Sequence, residues 1–121
     1  MKLSLGLAHS LFVALSAVDR DEKTKLDGKT RIAIAIDLNL LQPHITAYER
    51  VRAQRLREVA GSRVDAIKEA EFAGADAELR DSEIEVGSLK QMSIAELKLD
   101  DNPRITGAMV AMLAPVLSDL S

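Results

Sequence analysis

The sequence predicts a mainly α-helical protein in which a helical hairpin projects from a small body built from the terminal segments, and three observations predict it. The 121 residues are rich in Leu, Ile, Val and Ala and hold only three aromatics, Phe12, Tyr48 and Phe72; such a composition suits closely packed helices better than β-sandwiches or aromatic pockets. An apolar repeat of Ile34, Leu38, Leu41, Ile45, Tyr48, Leu56 and Val59 recurs at helical spacing between Thr30 and Ala60. After it, Ala66, Ile67, Ala70, Ala73, Gly74 and Ala77 share one side of a further helical segment. Small side chains there let the two helices lie close and antiparallel.

Residues 6–19 read as the first helix, with Leu7, Leu11, Leu15 and Val18 at helical spacing and a few extended residues before it. One Lys followed by an apolar run superficially resembles a secretory signal, which keeps a secreted or periplasmic protein as an alternative. His9, Ser10 and Ser16 interrupt the run, and no A-x-A site precedes a plausible mature start, so an amphipathic internal helix is preferred. A charged linker follows from Asp19 to Thr30, with Asp27-Gly28 as a turn signal, and its alternating charge reads as a solvated loop.

Residues 31–40 carry two patterns. Ile32, Ile34, Ile36, Leu38 and Leu40 alternate as a half-buried strand would, yet they also form two helical stripes, Ile34-Leu38-Leu41 and Ile32-Ile36-Leu40. One long kinked helix over 30–60 is favoured. Its kink is expected at Pro43, which removes the bond to the Asn39 carbonyl; a strand ending near Leu40, with Pro43 opening a new helix, is the alternative. Past Ala47 the second stripe gives way to Glu49, Arg50, Arg52, Arg55, Arg57 and Glu58, so this half should protrude. Arg52 falls at the centre of the main stripe, either paired inside a helical interface or on a stretch that meets something else. Gly61-Ser62 should close the helix, and a third helix should run over 63–80.

The rhythm then changes to Glu83-Ile84-Glu85-Val86, a short strand for which Leu3 and Leu5 offer a pairing mate. Ser93 opens a helical turn at Ile94 to Leu97. Thr106 caps a last helix over 106–118 carrying Met109, Val110, Leu113, Val116 and Leu117, limited or bent by Pro115. One domain is expected from the length.

The absence of cysteine excludes disulfides, thiolate zinc sites and cysteine nucleophiles together. A formal charge of −3 argues against phosphate-backbone binding as the main task, and no apolar run is long enough for a membrane helix. No G-x-S-x-G, P-loop, H-E-x-x-H or paired C-x-x-C occurs, so neither an enzyme nor a cofactor or metal is expected. The acidic run Asp76, Glu78, Asp81, Glu83 and Glu85 lacks the spacing of a calcium loop and reads as a solvated face. Arg50, Arg52, Arg55 and Arg57 are the candidate ligand- or partner-binding residues. On a lone helix they splay apart, and a solvated face laced by pairs such as Glu49 with Arg52 competes with that role. Ile32, Ile36 and Leu40, with Phe72 and Leu79, are expected to point away from the hairpin seam and to form an oligomer interface, a dimer being favoured.

The chain as a whole resembles a family of small uncharacterised helical proteins of tailed phages and prophages. The likeness is carried by MKLSLGLAHSL, by RIAIAIDLNLLQPHITAYERVRAQRLREVAG, by EFAGADAELRDSEIEV and by SIAELKLDDNPRITGAMVAMLAPVL. The resemblance implies a helix over Arg31 to Ala60, from whose straightness Pro43 is a departure. It also implies a phage origin, placement in the host cytoplasm or the virion, and a non-enzymatic accessory or assembly role. The expected function is therefore an interaction protein that oligomerises and binds a phage or host protein. The alternative is a counter-defence sponge that holds a host signalling nucleotide between subunits; an Arg-lined pocket would favour the sponge, and a dry apolar groove a protein partner.

Overall fold

The computed structural model describes residues 1–60 and 66–120, with side chains over 1–58 and 70–120. In chain order these form β1 (Lys2–Ser4), α1 (Leu5–Arg20), α2 (Gly28–Ala60), α3 (Ala66–Asp81), β2 (Glu83–Glu85) and α4 (Gly107–Met112), with single 3-10 turns at Ala95–Leu97 and Ala114–Val116. The protein is mainly helical with a short two-strand sheet. The Gly61-Ser62 turn and the helix start at Arg63 lie outside the described residues, as do the side chains of Val59, Ala66 and Ile67. Among the described residues no helix is long and apolar enough to cross a membrane.

The strands pair antiparallel with Leu3 opposite Ile84, and the chain passes from β1 into α1 with no loop. Ser4 makes that possible: its Oγ accepts the Leu7 amide at 3.2 Å, while the Leu5 amide donates to the Ser82 carbonyl at 2.8 Å. α1 buries Leu5, Ala8, Leu11, Leu15 and Val18 against α2, with Ala14 beside them. Leu7, placed on the inward stripe by spacing alone, is 56% exposed. At that end of the helix Leu5 and Ala8 are the buried residues instead.

α2 runs as one helix through residues 31–41 and through Pro43. Its inner face consists of Thr30, Ile34, Asp37, Leu41, Ile45 and Tyr48, all buried. Two expectations about this helix are corrected. Leu38 is half-buried, because Asp37 takes the central position between Ile34 and Leu41. The second stripe does not behave as one surface: Ile32 and Ile36 are exposed, whereas Leu40 packs on the core, its methyl groups filling the space beside Gly87. Gly87 has φ +46°, a left-handed conformation that a side chain would strain.

The C-terminal region closes the body. Met92 and Leu117 form a parallel bridge, and Leu97, Ile105, Leu113 and Val116 complete the core. Thr106 caps α4 through its side chain, accepting the Met109 amide at 3.2 Å. The expected helix over 106–118 is shorter than its apolar spacing suggested: α4 ends at Met112, and a 3-10 turn containing Pro115 follows. Proline has no amide to continue the α ladder, so the chain tightens there. At Ser93, the hydroxyl accepts the Glu96 amide at 3.3 Å and the Glu96 carboxylate accepts the Ser93 amide at 3.1 Å, a reciprocal cap.

The linker before α2 is not a free solvated loop. Thr24 is buried, and Asn102 grips the chain beside it, accepting the Lys25 amide at 2.6 Å and donating to the Lys25 and Leu97 carbonyls, each at 2.8 Å. Ion pairs of Lys98 with Asp27 at 2.8 Å and Arg104 with Asp21 at 3.3 Å flank that grip.

Candidate functional site

The richest polar chemistry lies where α1, α2 and α3 meet. His9 comes from α1, Tyr48, Glu49 and Arg52 from α2, and Asp76 and Arg80 from α3; together they line a cleft of about 490 Å³. Gly6 permits the meeting: a Cβ there would stand 3.3 Å from the Cβ, Nε and carbonyl oxygen of Arg80. The buried Tyr48 hydroxyl donates to Asp76 Oδ1 at 2.9 Å and accepts from Arg80 Nη1 at 3.3 Å. Arg80 Nη1 also lies 3.3 Å from His9 Nδ1, and Nη2 donates to the Gly6 carbonyl at 3.4 Å. The His9 and Tyr48 rings meet edge to face at 5.3 Å between centroids.

Arg52 answers the question its position in the stripe raised. Its Nε lies 3.5 Å from Asp76 Oδ1, and its guanidinium sits 5.3 Å from the centroid of the Phe72 ring. It is paired across the exposed edge of the α2–α3 seam, and its partner is Asp76 on α3, not Glu49 on its own helix. Phe72 is thus turned toward α2 and not away from it, and the small residues expected at the seam, Ala70, Ala73, Gly74 and Ala77, are exposed instead. Arg50, Arg55 and Arg57 are exposed and do not converge on the cleft, and among the described residues they make no ion pair. Leu79 is half-buried.

Burial, with Arg80 beside it, holds the His9 pKa below the ordinary histidine value, so the neutral ring that accepts from Arg80 is the favoured form. Arg80 is half-buried and faces a phenol, an imidazole and a carbonyl, with no carboxylate within ion-pair distance among the described residues. Among the described residues no group of His, Asp and Glu could hold a metal. The junction's chemistry is that of a hydrogen-bonded clasp with one cation left able to meet an anion.

Sequence reasoning treated Arg52 and Asp76 separately and missed the junction. A signal was present: Tyr48 and Arg52 stand four apart on one helix and Asp76 and Arg80 four apart on the next, which puts each pair on a single face. A second missed residue is Asp37. Its Oδ1 accepts the Lys90 amide at 2.6 Å, and its Oδ2 is buried without a hydrogen-bond partner. Burial pushes its pKa up to about 6.

Two apolar surfaces complete the inventory. One is a recess of about 590 Å³ between α1 and the C-terminal segment, bounded by Leu7, Ala108, Ala111, Met112, Ala114, Pro115 and Leu120 with Ser10 as its polar member. The other is the outward face of α2 around Ile32 and Ile36. Comparison with protein-family models, with curated proteins and with solved structures finds no match to this chain.

Proposed function

We propose that this chain is a non-enzymatic interaction protein that self-associates and binds a second protein. The resemblance of its sequence to phage proteins suggests the setting, particle assembly or takeover of the host. The observation that carries the reading is the recess beside α4: it is lined by aliphatic side chains, methionine and proline, and no charged residue borders it. A partner suited to it presents an apolar helix ridge, because any charge buried there would lose its hydration without gaining a partner. Leu7→Glu and Met112→Glu test it, since both residues are exposed. Each variant should keep the wild-type melting temperature and lose the protein that co-purifies from infected cells. Undiminished retention by both variants would sink the reading.

One observation favours the nucleotide sponge as a second reading. The Arg80 guanidinium makes its own hydrogen bonds to neutral acceptors only, so a phosphate entering the junction would gain a charge-assisted bond there, opposed by the Asp76 and Glu49 carboxylates that line the same cleft. Titration calorimetry with cyclic and linear signalling nucleotides, with Arg80→Ala as control, separates the two readings.

A further inference from the structure

What holds α3 to the body is largely polar. Among its described side chains, those of residues 70–81, none is buried, and the half-buried ones are Phe72, Ala75, Asp76, Leu79 and Arg80. Phe72 meets the Arg52 guanidinium, Asp76 accepts from the Tyr48 hydroxyl, and Arg80 reaches His9, Tyr48 and the Gly6 carbonyl. A helix docked with so little apolar burial opens locally at low cost. Its position therefore depends on the charges in that junction.

The contact between Arg80 and His9 has only one possible sense. A guanidinium offers five hydrogens and no acceptor, so His9 Nδ1, 3.3 Å from Arg80 Nη1, must carry the lone pair and the ring proton must sit on Nε2. The bond exists only for the neutral ring. Protonation puts a hydrogen on Nδ1, and two cationic donors then face each other across the same gap. Arg80 cannot yield by losing its charge, because a guanidinium stays protonated throughout the ordinary pH range.

We propose that His9 is an acid-sensitive latch: its neutral ring holds α3 against α1, and its protonation releases α3 from α1 while the body stays folded. The titratable and charged groups around the ring are Tyr48, Glu49 and Arg52 from α2 and Asp76 and Arg80 from α3. Glu49 and Asp76 favour the protonated ring. Asp76, however, is engaged by the Tyr48 hydroxyl and by Arg52, and burial, with Arg80 and Arg52 adding to it, outweighs both carboxylates and holds the ring below its ordinary value of 6.5.

The sign follows from linkage. A base whose pKa falls on docking stabilises the docked form fully above pH 6.5 and loses that contribution as pH falls through the docked value. Docking should weaken by at most about tenfold per pH unit on the way. Asp37 runs in the opposite direction, since its buried carboxyl, pushed up to about 6, favours the folded body in acid. The body is thus tightened over the interval in which the latch opens.

Ring-nitrogen NMR should find the proton on Nε2 of His9 at about pH 7.5; a proton on Nδ1 overturns the latch. Amide hydrogen exchange, corrected for the intrinsic effect of pH, should show protection over residues 73–80 falling about fivefold or more between about pH 7.5 and about pH 5, with residues 34–45 unchanged. No fall, or an equal fall at 34–45, overturns the proposal. His9→Asn places an uncharged acceptor near the Nδ1 position and should hold its protection at both pH values; a fall matching the wild type assigns the titration to Glu49 or Asp76 and overturns it too. His9→Lys, charged at either pH, should lack protection over 73–80 at both, and wild-type protection in this variant at about pH 7.5 also overturns the latch.

Discussion

From Gly28 to Tyr48, α2 turns Ile34, Asp37, Leu41, Ile45 and Tyr48 into the body, whereas from Glu49 to Glu58 it exposes every residue except the half-buried Val51. One helix is therefore held in two ways. The first half is fixed by apolar burial against α1 and the C-terminal segment. The second is held by Arg52, through Asp76 and the Phe72 ring, and by its own helix propensity. Burial contributes kilocalories per side chain, while exposed ion pairs contribute tenths. The stability of the hairpin should therefore reside almost wholly at its base.

The largest test of that contrast replaces one leucine in each half. Leu41 is fully buried and Leu56 is 44% exposed. Leu41→Ala should cost roughly 3 to 5 kcal/mol, through lost transfer energy and the cavity left behind, and Leu56→Ala less than about 1 kcal/mol. Urea unfolding of both variants measures the difference. Equal losses would mean that the outer half is as tightly packed as the base.

Asp37 tests the base alone, because it is a buried carboxyl where a leucine would fit. Its folded pKa of about 6 lies above the ordinary aspartate value of 3.8, so the folded state holds the proton more tightly than the unfolded chain. The contribution of Asp37 is therefore fully favourable below about pH 4 and declines as pH rises through about 6, by up to roughly 3 kcal/mol. Asp37→Asn should remove this decline. Wild type minus variant, measured at intervals from pH 4 to 7, should fall across that window; a flat difference would mean that the carboxyl is solvated when the protein is folded.

The smallest effects locate the boundary between the halves. Tyr48→Phe leaves the ring in place but removes the bond to Asp76 and the acceptor for Arg80, and should cost about 1 to 2 kcal/mol. Arg57→Ala, nine residues further on, should change stability by no more than about 0.5 kcal/mol. Thermal melts of the two variants read this step. A cost at Arg57 matching that at Tyr48 would move the boundary outward.

Much of the fold was legible because it follows from periodicity. The long helix and the Thr106 cap each rest on spacing or on one local hydrogen bond, and local rules decide such features; the strand at Glu83–Glu85 was legible as a strand, but its register against Lys2–Ser4, with Leu5 passing into α1, was not. The strand-like alternation at 31–40 misleads only when read alone, since the same residues continue the helical repeat through Tyr48 and Leu56.

The sequence by itself determined the helical class, the burial of Ile34, Leu41, Ile45 and Tyr48 on α2 and the exposure of Arg50, Arg55 and Arg57, because each depends on residues within a few turns of one another. Only the tertiary structure decided that Leu40 packs inward while Ile32 and Ile36 do not, that Asn102 grips the linker at Lys25, and that His9, Tyr48, Asp76 and Arg80 share one junction. Those outcomes depend on which elements approach and at what angle. That is set by close contacts such as Gly6 against Arg80 and Gly87 against Leu40, and no repeat along a single chain encodes contacts between residues more than forty positions apart.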